Sequence, residues 1–153
     1  DPAAVLGDRV LPYLFAADRQ DHLLRLVEPA LARGAVVITD RYVPSSLAYQ
    51  GVTIGVQAAL ELNARFRAPD LTIVLDVPPE ECMRRILARG APRERFEDTE
   101  RLRAIRSAYT EGLRLLEARG DAILRLDGSQ GIADLARQVW SEVRPLLGGP
   151  SPD

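Results

Sequence analysis

The sequence predicts an α/β fold in which a parallel sheet has helices on both faces, giving three layers. Short apolar, β-branched runs occupy residues 35–39, 71–77 and 122–127. Helical patterns alternate with these runs, and they lie at residues 56–66, 79–89, 99–119 and 132–147. Alternation of this kind gives parallel strands joined by right-handed crossovers. The first two runs are apolar nearly throughout, as expected of strands buried on both faces.

Composition indicates one globular domain over residues 1–153, since 46% of the residues are hydrophobic and 27% are charged. The net charge of −2 gives no electrostatic reason to expect a nucleic acid or a membrane as a partner. Cys82 is the one cysteine, so an intrachain disulfide is excluded and a reducing, cytoplasmic setting is expected. No apolar run approaches the ~20 residues of a membrane span.

A long helical region is predicted from Asp8, a possible N-cap, to Gly34, a plausible C-cap. Pro12 can be tolerated only near its first turn, and Pro29 predicts a kink or a restart. Within this region Phe15 and Arg19 are four residues apart, so they share a helix face. A ring and a guanidinium on one face suit a nucleobase; the alternative is a core phenylalanine beside a surface arginine.

The string DRYVPSSLAYQG, which begins at Asp40, follows the run at residues 35–39. Ligands bind at the carboxyl ends of parallel strands, so chemistry is expected here. Asp40 could hold Mg²⁺ through water or orient a phosphate-bound arginine. Arg41 offers a planar fork that matches phosphate oxygens. Ser45 and Ser46 could instead cap the next helix.

Residues 89–98, RGAPRERFED, join two helices and are rich in arginine. Such a segment could close over a polyphosphate as a lid and exclude water. The alternative is a solvated connector between helices.

Taken together, these segments resemble the thymidylate kinase (dTMP kinase) family in order and spacing. The resemblance rests on FAADRQ, PALARG, DRY with AYQG, PDLTIVLDVPPE and the arginine-rich lid, and it covers essentially the whole chain. It implies the fold of P-loop nucleoside-monophosphate kinases. It also implies ATP-dependent phosphorylation of dTMP to dTDP with Mg²⁺, in a homodimeric enzyme of nucleotide biosynthesis.

By resemblance, Phe15 stacks on thymine and Arg19 donates to a thymine carbonyl. Arg41 grips the dTMP phosphate, while Asp40 orders that arginine and the metal. Tyr49 lies under the deoxyribose, where its ring disfavours a ribose 2′-hydroxyl.

The resemblance also implies roles at the edge of the base and at the ATP site. Ser46 and Gln50 reach the pyrimidine edge. Arg93 and Arg95 in the lid contact ATP phosphates, and with Asp40 and Arg41 they complete the expected catalytic set. The GSQG loop, which contains Ser129, lies near adenine.

A departure from the family pattern concerns the phosphate loop. The 153 residues contain no lysine and therefore no Gly-x-x-x-x-Gly-Lys-Ser/Thr phosphate loop. The expectation is an N-terminally incomplete domain that is inactive alone. Two alternatives stay open: a deoxynucleoside kinase relative, which has a comparable acid–arginine pair, and a non-catalytic nucleotide-binding or dimerisation module.

Overall fold

The computed structural model describes residues 7, 9–88 and 99–148. The elements of these residues are, in chain order, α1 Leu11–His22, a π-helical turn Leu23–Val27, α2 Glu28–Ala32, α3 Val43–Tyr49, α4 Gly51–Ile54, α5 Val56–Asn63, β1 Thr72–Asp76, α6 Pro79–Ala88, α7 Thr99–Ala118, β2 Ile123–Asp127 and α8 Ile132–Leu146. No helix in this part of the chain combines the length and apolarity needed to cross a membrane.

The long N-terminal helical region is confirmed. Pro12 lies in the first turn of α1, where a missing N–H breaks no helical bond, and Pro29 lies at the start of α2, directly after the π-helical turn. The π-helical turn that precedes α2 marks the restart predicted at Pro29. Gly34 follows α2 with φ +75°, and its N–H donates to the Leu31 carbonyl over 2.9 Å. Asp8 lies outside the described residues.

Residues 35–39, predicted as a strand, have no regular structure, and that prediction is wrong. A strand needs a neighbour to receive its backbone hydrogen bonds, and no described strand pairs with this segment. Ile38 is accordingly 91% exposed. Asp40 therefore follows an irregular segment instead of a strand end.

One compact unit consists of the residues up to Arg67 together with Ala104–Leu113. Its core surrounds α3, in which Leu47 and Ala48 are completely buried. α7 crosses α3 at Gly112, where an added Cβ would lie 2.9 Å from the Leu47 Cβ. Glycine is needed at this crossing because any side chain would collide with α3. The other buried apolar residues of the unit are Ala16, Leu23, Val27, Val43, Val56, Ala59, Phe66, Ile105, Ala108 and Leu113.

The second compact unit, Ala68–Arg103 with Arg114–Asp153, contains β1 and β2. The two strands pair in parallel, from Thr72 opposite Ile123 to Asp76 opposite Asp127, so both predicted strands are confirmed. The described residues thus form an α/β fold that is mostly helical, with a two-stranded sheet.

The prediction that β1 is buried on both faces is wrong. Leu75, in the middle of the predicted apolar run, is 53% exposed. A strand face is buried only where another layer packs on it, and the described part of the chain leaves this face open. Three full layers therefore stay a prediction.

The helices predicted between and after the strands are confirmed as α5, α6, α7 and α8, each within a few residues of the predicted ends. The lid, residues 89–98, lies outside the described residues, and so do Arg93 and Arg95.

Candidate functional site

Arg41 has a left-handed backbone. Its φ is +66°, a conformation that costs a non-glycine residue about 1–2 kcal/mol. The turn at Asp40 and Arg41 leads into α3, and it brings the Arg41 guanidinium carbon to 5.0 Å from the centre of the Tyr49 ring. Strain of this kind concentrates at functional positions, and here it positions an exposed cation against an aromatic ring.

The serine pair does not cap a helix. α3 begins at Val43, so Ser45 and Ser46 lie within its first turns. The Ser46 hydroxyl accepts a hydrogen bond from Arg19 Nη2 at 2.7 Å, and the Ser45 hydroxyl bonds the Tyr109 hydroxyl at 2.8 Å. The two serines therefore connect α3 to α1 and to α7.

Arg19 is held inside the first unit and is not a surface arginine. Its Nη1 donates to Asn63 Oδ1, in addition to the bond from Nη2 to Ser46. Its guanidinium carbon lies 5.2 Å from the ring centre of Tyr42 and 5.5 Å from that of Phe66. Burial lowers the pKa of Arg19, although nearby Tyr42 opposes the shift. Arginine nevertheless stays protonated in proteins, so this group presents only donors.

Phe15 is not a core residue. It lies on α1 one turn before Arg19, and 48% of its surface is exposed. Residues four apart on a helix share a face, so an exposed ring and the Arg19 side chain occur together on α1. Stacking of Phe15 on a base stays a prediction.

Sequence reasoning missed Tyr109 of α7. Its ring meets the Tyr49 ring edge-on, with the centroids 6.2 Å apart, and its hydroxyl bonds Ser45. Burial raises the pKa of Tyr109, and the nearby Tyr49 and Asp40 raise it further, while the hydrogen bond with Ser45 and the charge of Arg41 lower it. A usable signal existed, because a tyrosine on the core face of a helix needs a partner for its hydroxyl.

The partners of Arg19 were missed as well. Asn63 is only 2% exposed, and its Nδ2 donates to the Ala59 carbonyl over 2.7 Å. Tyr42 donates its hydroxyl to the Arg67 carbonyl over 3.0 Å, which fixes the ring beside the guanidinium. A buried asparagine on an apolar helix face is the signal that could have indicated this contact.

Asp40 and Gln50 complete the predicted residues of this unit. Asp40 is exposed, and Gln50 follows α3 with its surface partly exposed. The described residues contain no group of three or more side chains that could hold a metal ion. Mg²⁺ is commonly bound through one or two carboxylates plus substrate phosphates, so the single carboxylate of Asp40, next in sequence to Arg41, is compatible with this metal.

The GSQG loop belongs to the second unit and is tightly built. The Gly128 N–H donates to the Asp76 carbonyl over 2.8 Å, and an added Cβ at Gly128 would lie 2.6 Å from Val77 Cγ2. The Ser129 N–H donates to Asp127 Oδ1 at 2.9 Å. The loop therefore exists as a fixed turn, while its contact with adenine stays a prediction.

An ion-pair cluster on α6 supports that loop. Arg85 Nη2 donates to the Gly128 carbonyl over 3.2 Å. Glu81 accepts hydrogen bonds from Arg84 and Arg85, and these bonds lower its pKa to about 2.

Comparison with known proteins adds independent findings. A sequence model described as thymidylate kinase matches residues 5–139. A probable thymidylate kinase of Pyrobaculum calidifontis is 42% identical over 127 residues, covering 82% of this chain and 63% of the relative. The thymidylate kinase of Dinoroseobacter shibae is 42% identical over 132 residues, covering 82% and 62%. That of a Synechococcus species is 38% identical over 152 residues, covering 96% and 70%. The chain thus spans between 62% and 70% of the length of these three relatives.

Proposed function

Because the chain belongs to the thymidylate kinase family, we propose that it binds dTMP and serves its ATP-dependent phosphorylation to dTDP. The observation that carries the proposal is that α3 connects two arginine sites in one compact unit. Arg19 is bonded to Ser46 of this helix, and Arg41 lies against Tyr49, three residues further along. Two guanidinium groups that contact side chains of one short helix suit a ligand with a carbonyl-bearing base at one end and a phosphate at the other.

At the base, Arg19 can act only as a hydrogen-bond donor. Arg19 has five N–H groups, of which two are bonded to Ser46 and Asn63. The remaining N–H groups can donate to a thymine carbonyl, which is a hydrogen-bond acceptor. Phe15, exposed one turn earlier, offers a ring face for the base, and Gln50 lies at the end of α3 for its edge.

The phosphate end uses Arg41. An arginine fork forms two parallel hydrogen bonds to phosphate oxygens, and it carries the opposite charge. Tyr49 lies beneath this guanidinium, and we expect its ring to limit the space for a sugar. We assign Asp40, the preceding residue, the role of ordering Arg41 and a metal-bound water.

Transfer of the phosphoryl group requires positioning and neutralisation of charge more than covalent chemistry. We assign Arg93 and Arg95 to the ATP phosphates and the loop at Ser129 to adenine, within the three-layer fold of P-loop kinases. When bound, Mg²⁺ supplies charge neutralisation on the phosphates beside Asp40.

We also expect a homodimer in the cytoplasm, with neither nucleic acid nor membrane as a partner. Exposed apolar side chains on the N-terminal helical region support a dimer, because burial against a second copy would remove them from water. They include Tyr13, Leu14, Leu24 and Leu26. Light scattering coupled to size-exclusion chromatography measures this directly, and a purely monomeric protein at high micromolar concentration contradicts it.

The central experiment compares dTMP with thymidine by isothermal titration calorimetry. The wild-type chain is expected to bind dTMP more tightly, and Arg41→Ala to remove about 10–100-fold of that affinity, since a charge-assisted hydrogen bond contributes about 1.5–3 kcal/mol. Arg137→Ala is the matched control, because Arg137 is an exposed arginine of α8. It should leave both affinities unchanged.

Two outcomes of this titration contradict the proposal. Tighter binding of thymidine than of dTMP favours a deoxynucleoside kinase. Absence of heat with either ligand at millimolar concentration removes the nucleotide site altogether.

Catalysis needs a separate measurement. In P-loop enzymes a lysine contacts the β- and γ-phosphates, and these 153 residues contain none. We therefore propose that residues 1–153 bind dTMP but form no dTDP by themselves. A coupled assay tests this, and normal dTDP formation by the purified chain contradicts it.

A further inference from the structure

Asn63 is almost completely buried at the end of α5, and the functions proposed above leave it unassigned. Its amide has two different partners: Nδ2 donates to the Ala59 carbonyl, and Oδ1 accepts from Arg19. Turning the amide over would place its NH₂ group against the Arg19 donors and its oxygen against a carbonyl. Only one orientation satisfies both partners, so the oxygen is fixed towards Arg19.

This oxygen is one of two anchors for the guanidinium. Asn63 holds Nη1, and the Ser46 hydroxyl holds Nη2 at 2.7 Å. Bonds to both terminal nitrogens remove rotation of the planar group, and the rings of Tyr42 and Phe66 lie against it. The N–H groups left for a ligand therefore point in fixed directions.

A fixed set of donors distinguishes pyrimidines that differ at one position. Thymine presents a carbonyl oxygen, O4, where cytosine presents an amino group. A mobile arginine could turn away from the amino group, and cytosine would then lose little affinity. If Arg19 cannot turn, its N–H groups face the amino group of cytosine, and neither donor has an acceptor. Polar groups left unpaired in a binding site are a usual means of excluding the wrong ligand.

We propose that Asn63 is a specificity-determining residue, which holds Arg19 in the orientation that accepts thymine and excludes cytosine. The inference rests on the proposed dTMP site, and it concerns selectivity between bases instead of affinity for nucleotides in general. It predicts that loosening Arg19 lets dCMP bind relatively better.

The test uses two variants of nearly equal size. Asn63→Leu and Asn63→Asp both lose the bond to the Ala59 carbonyl, but only the aspartate keeps an oxygen for Arg19. Dissociation constants for dTMP and dCMP are measured by calorimetry, and the ratio of the two is compared. Gln57→Ala, an exposed change on the same helix, is the control and should keep the wild-type ratio.

We expect the preference for dTMP over dCMP to fall about tenfold in Asn63→Leu, as for loss of a hydrogen bond to a charged group. In Asn63→Asp the preference should stay close to that of the wild type. An unchanged ratio in Asn63→Leu overturns the inference, and so does an equal loss of both affinities, which would indicate a structural role alone.

Folding is checked by circular dichroism. If Asn63→Leu does not fold, the ratio is measured in Ser46→Ala, which removes the other anchor, and an unchanged ratio there overturns the inference equally. Failure of the proposed function looks different, because the wild-type chain itself would then bind neither nucleotide or would show no preference for dTMP.

Discussion

The backbone strain at Arg41 can be separated from the charge of its side chain. Arg41→Ala and Arg41→Gly both remove the guanidinium, but they differ in how well the new residue tolerates φ +66°. Glycine adopts this conformation freely, whereas alanine is strained there as arginine is.

The difference in the free energy of unfolding between the two variants follows from two opposing effects. Left-handed backbone costs alanine about 1–2 kcal/mol, while glycine loses about 0.5–1 kcal/mol more than alanine through the entropy of the unfolded chain. The glycine variant should therefore be the more stable of the two by about 1 kcal/mol. Both lose the contact with the Tyr49 ring, which contributes about 0.5–1 kcal/mol at an exposed site.

Urea unfolding measures this difference. With a slope of about 1–3 kcal/mol per molar urea, the midpoint of Arg41→Gly should lie roughly 0.3–1 M above that of Arg41→Ala. Affinity for dTMP is titrated in parallel and should fall equally in both variants, because each lacks the phosphate-binding fork.

Equal midpoints would refute the reasoning, since they would mean that the backbone of residue 41 is not strained in the folded protein. A dTMP affinity that survives in Arg41→Gly but not in Arg41→Ala would refute the assignment of the phosphate to the side chain.

Three further predictions concern the surroundings of the site. Gly112→Ala should destabilise the protein by about 1 kcal/mol in urea, because collision with Leu47 outweighs the gain in helix propensity; a stabilised variant would contradict the close crossing. Tyr109→Phe should lower the free energy of unfolding by about 1 kcal/mol, since Ser45 loses its partner, and an unchanged urea midpoint would contradict this. The Glu81 carboxyl should titrate near pH 2 by NMR instead of near 4.5, because two arginines bond to its ionised form. Its pKa is lowered on folding, so its stabilising contribution is complete above pH 4.5 and is lost as the pH falls through about 2; a titration near 4.5 would contradict these bonds.

Local patterns were sufficient for most elements of the fold. The helical region that ends at Gly34 follows from its apolar spacing and from the positive φ that glycine adopts easily. Both strands of the sheet could be predicted because they are short, β-branched and bounded by helices. The run at residues 35–39 has the same composition but is not a strand. Composition gives only a preference for strand, whereas a strand forms only beside another strand that receives its backbone hydrogen bonds.

Local patterns also predicted the chemistry of the site. The spacing of Phe15 and Arg19 placed both on one face of α1, and the sequence after Asp40 indicated a phosphate-binding arginine. What spacing could not supply was the pairing of side chains across elements. Asn63 lies 44 positions from Arg19, which it bonds, and Tyr109 lies 64 positions from Ser45, which it bonds.

The amino-acid sequence by itself thus determined the family and most of the helices, and it predicted the kinds of residue that a nucleotide would meet. Only the tertiary structure decided that Ser46 bonds an arginine instead of capping a helix, and that Arg19 is fixed instead of free. The physical reason is the range of the interactions. Helix propensity and periodicity act over a few residues, whereas the direction in which a guanidinium points is set by acceptors on helices that meet only after folding.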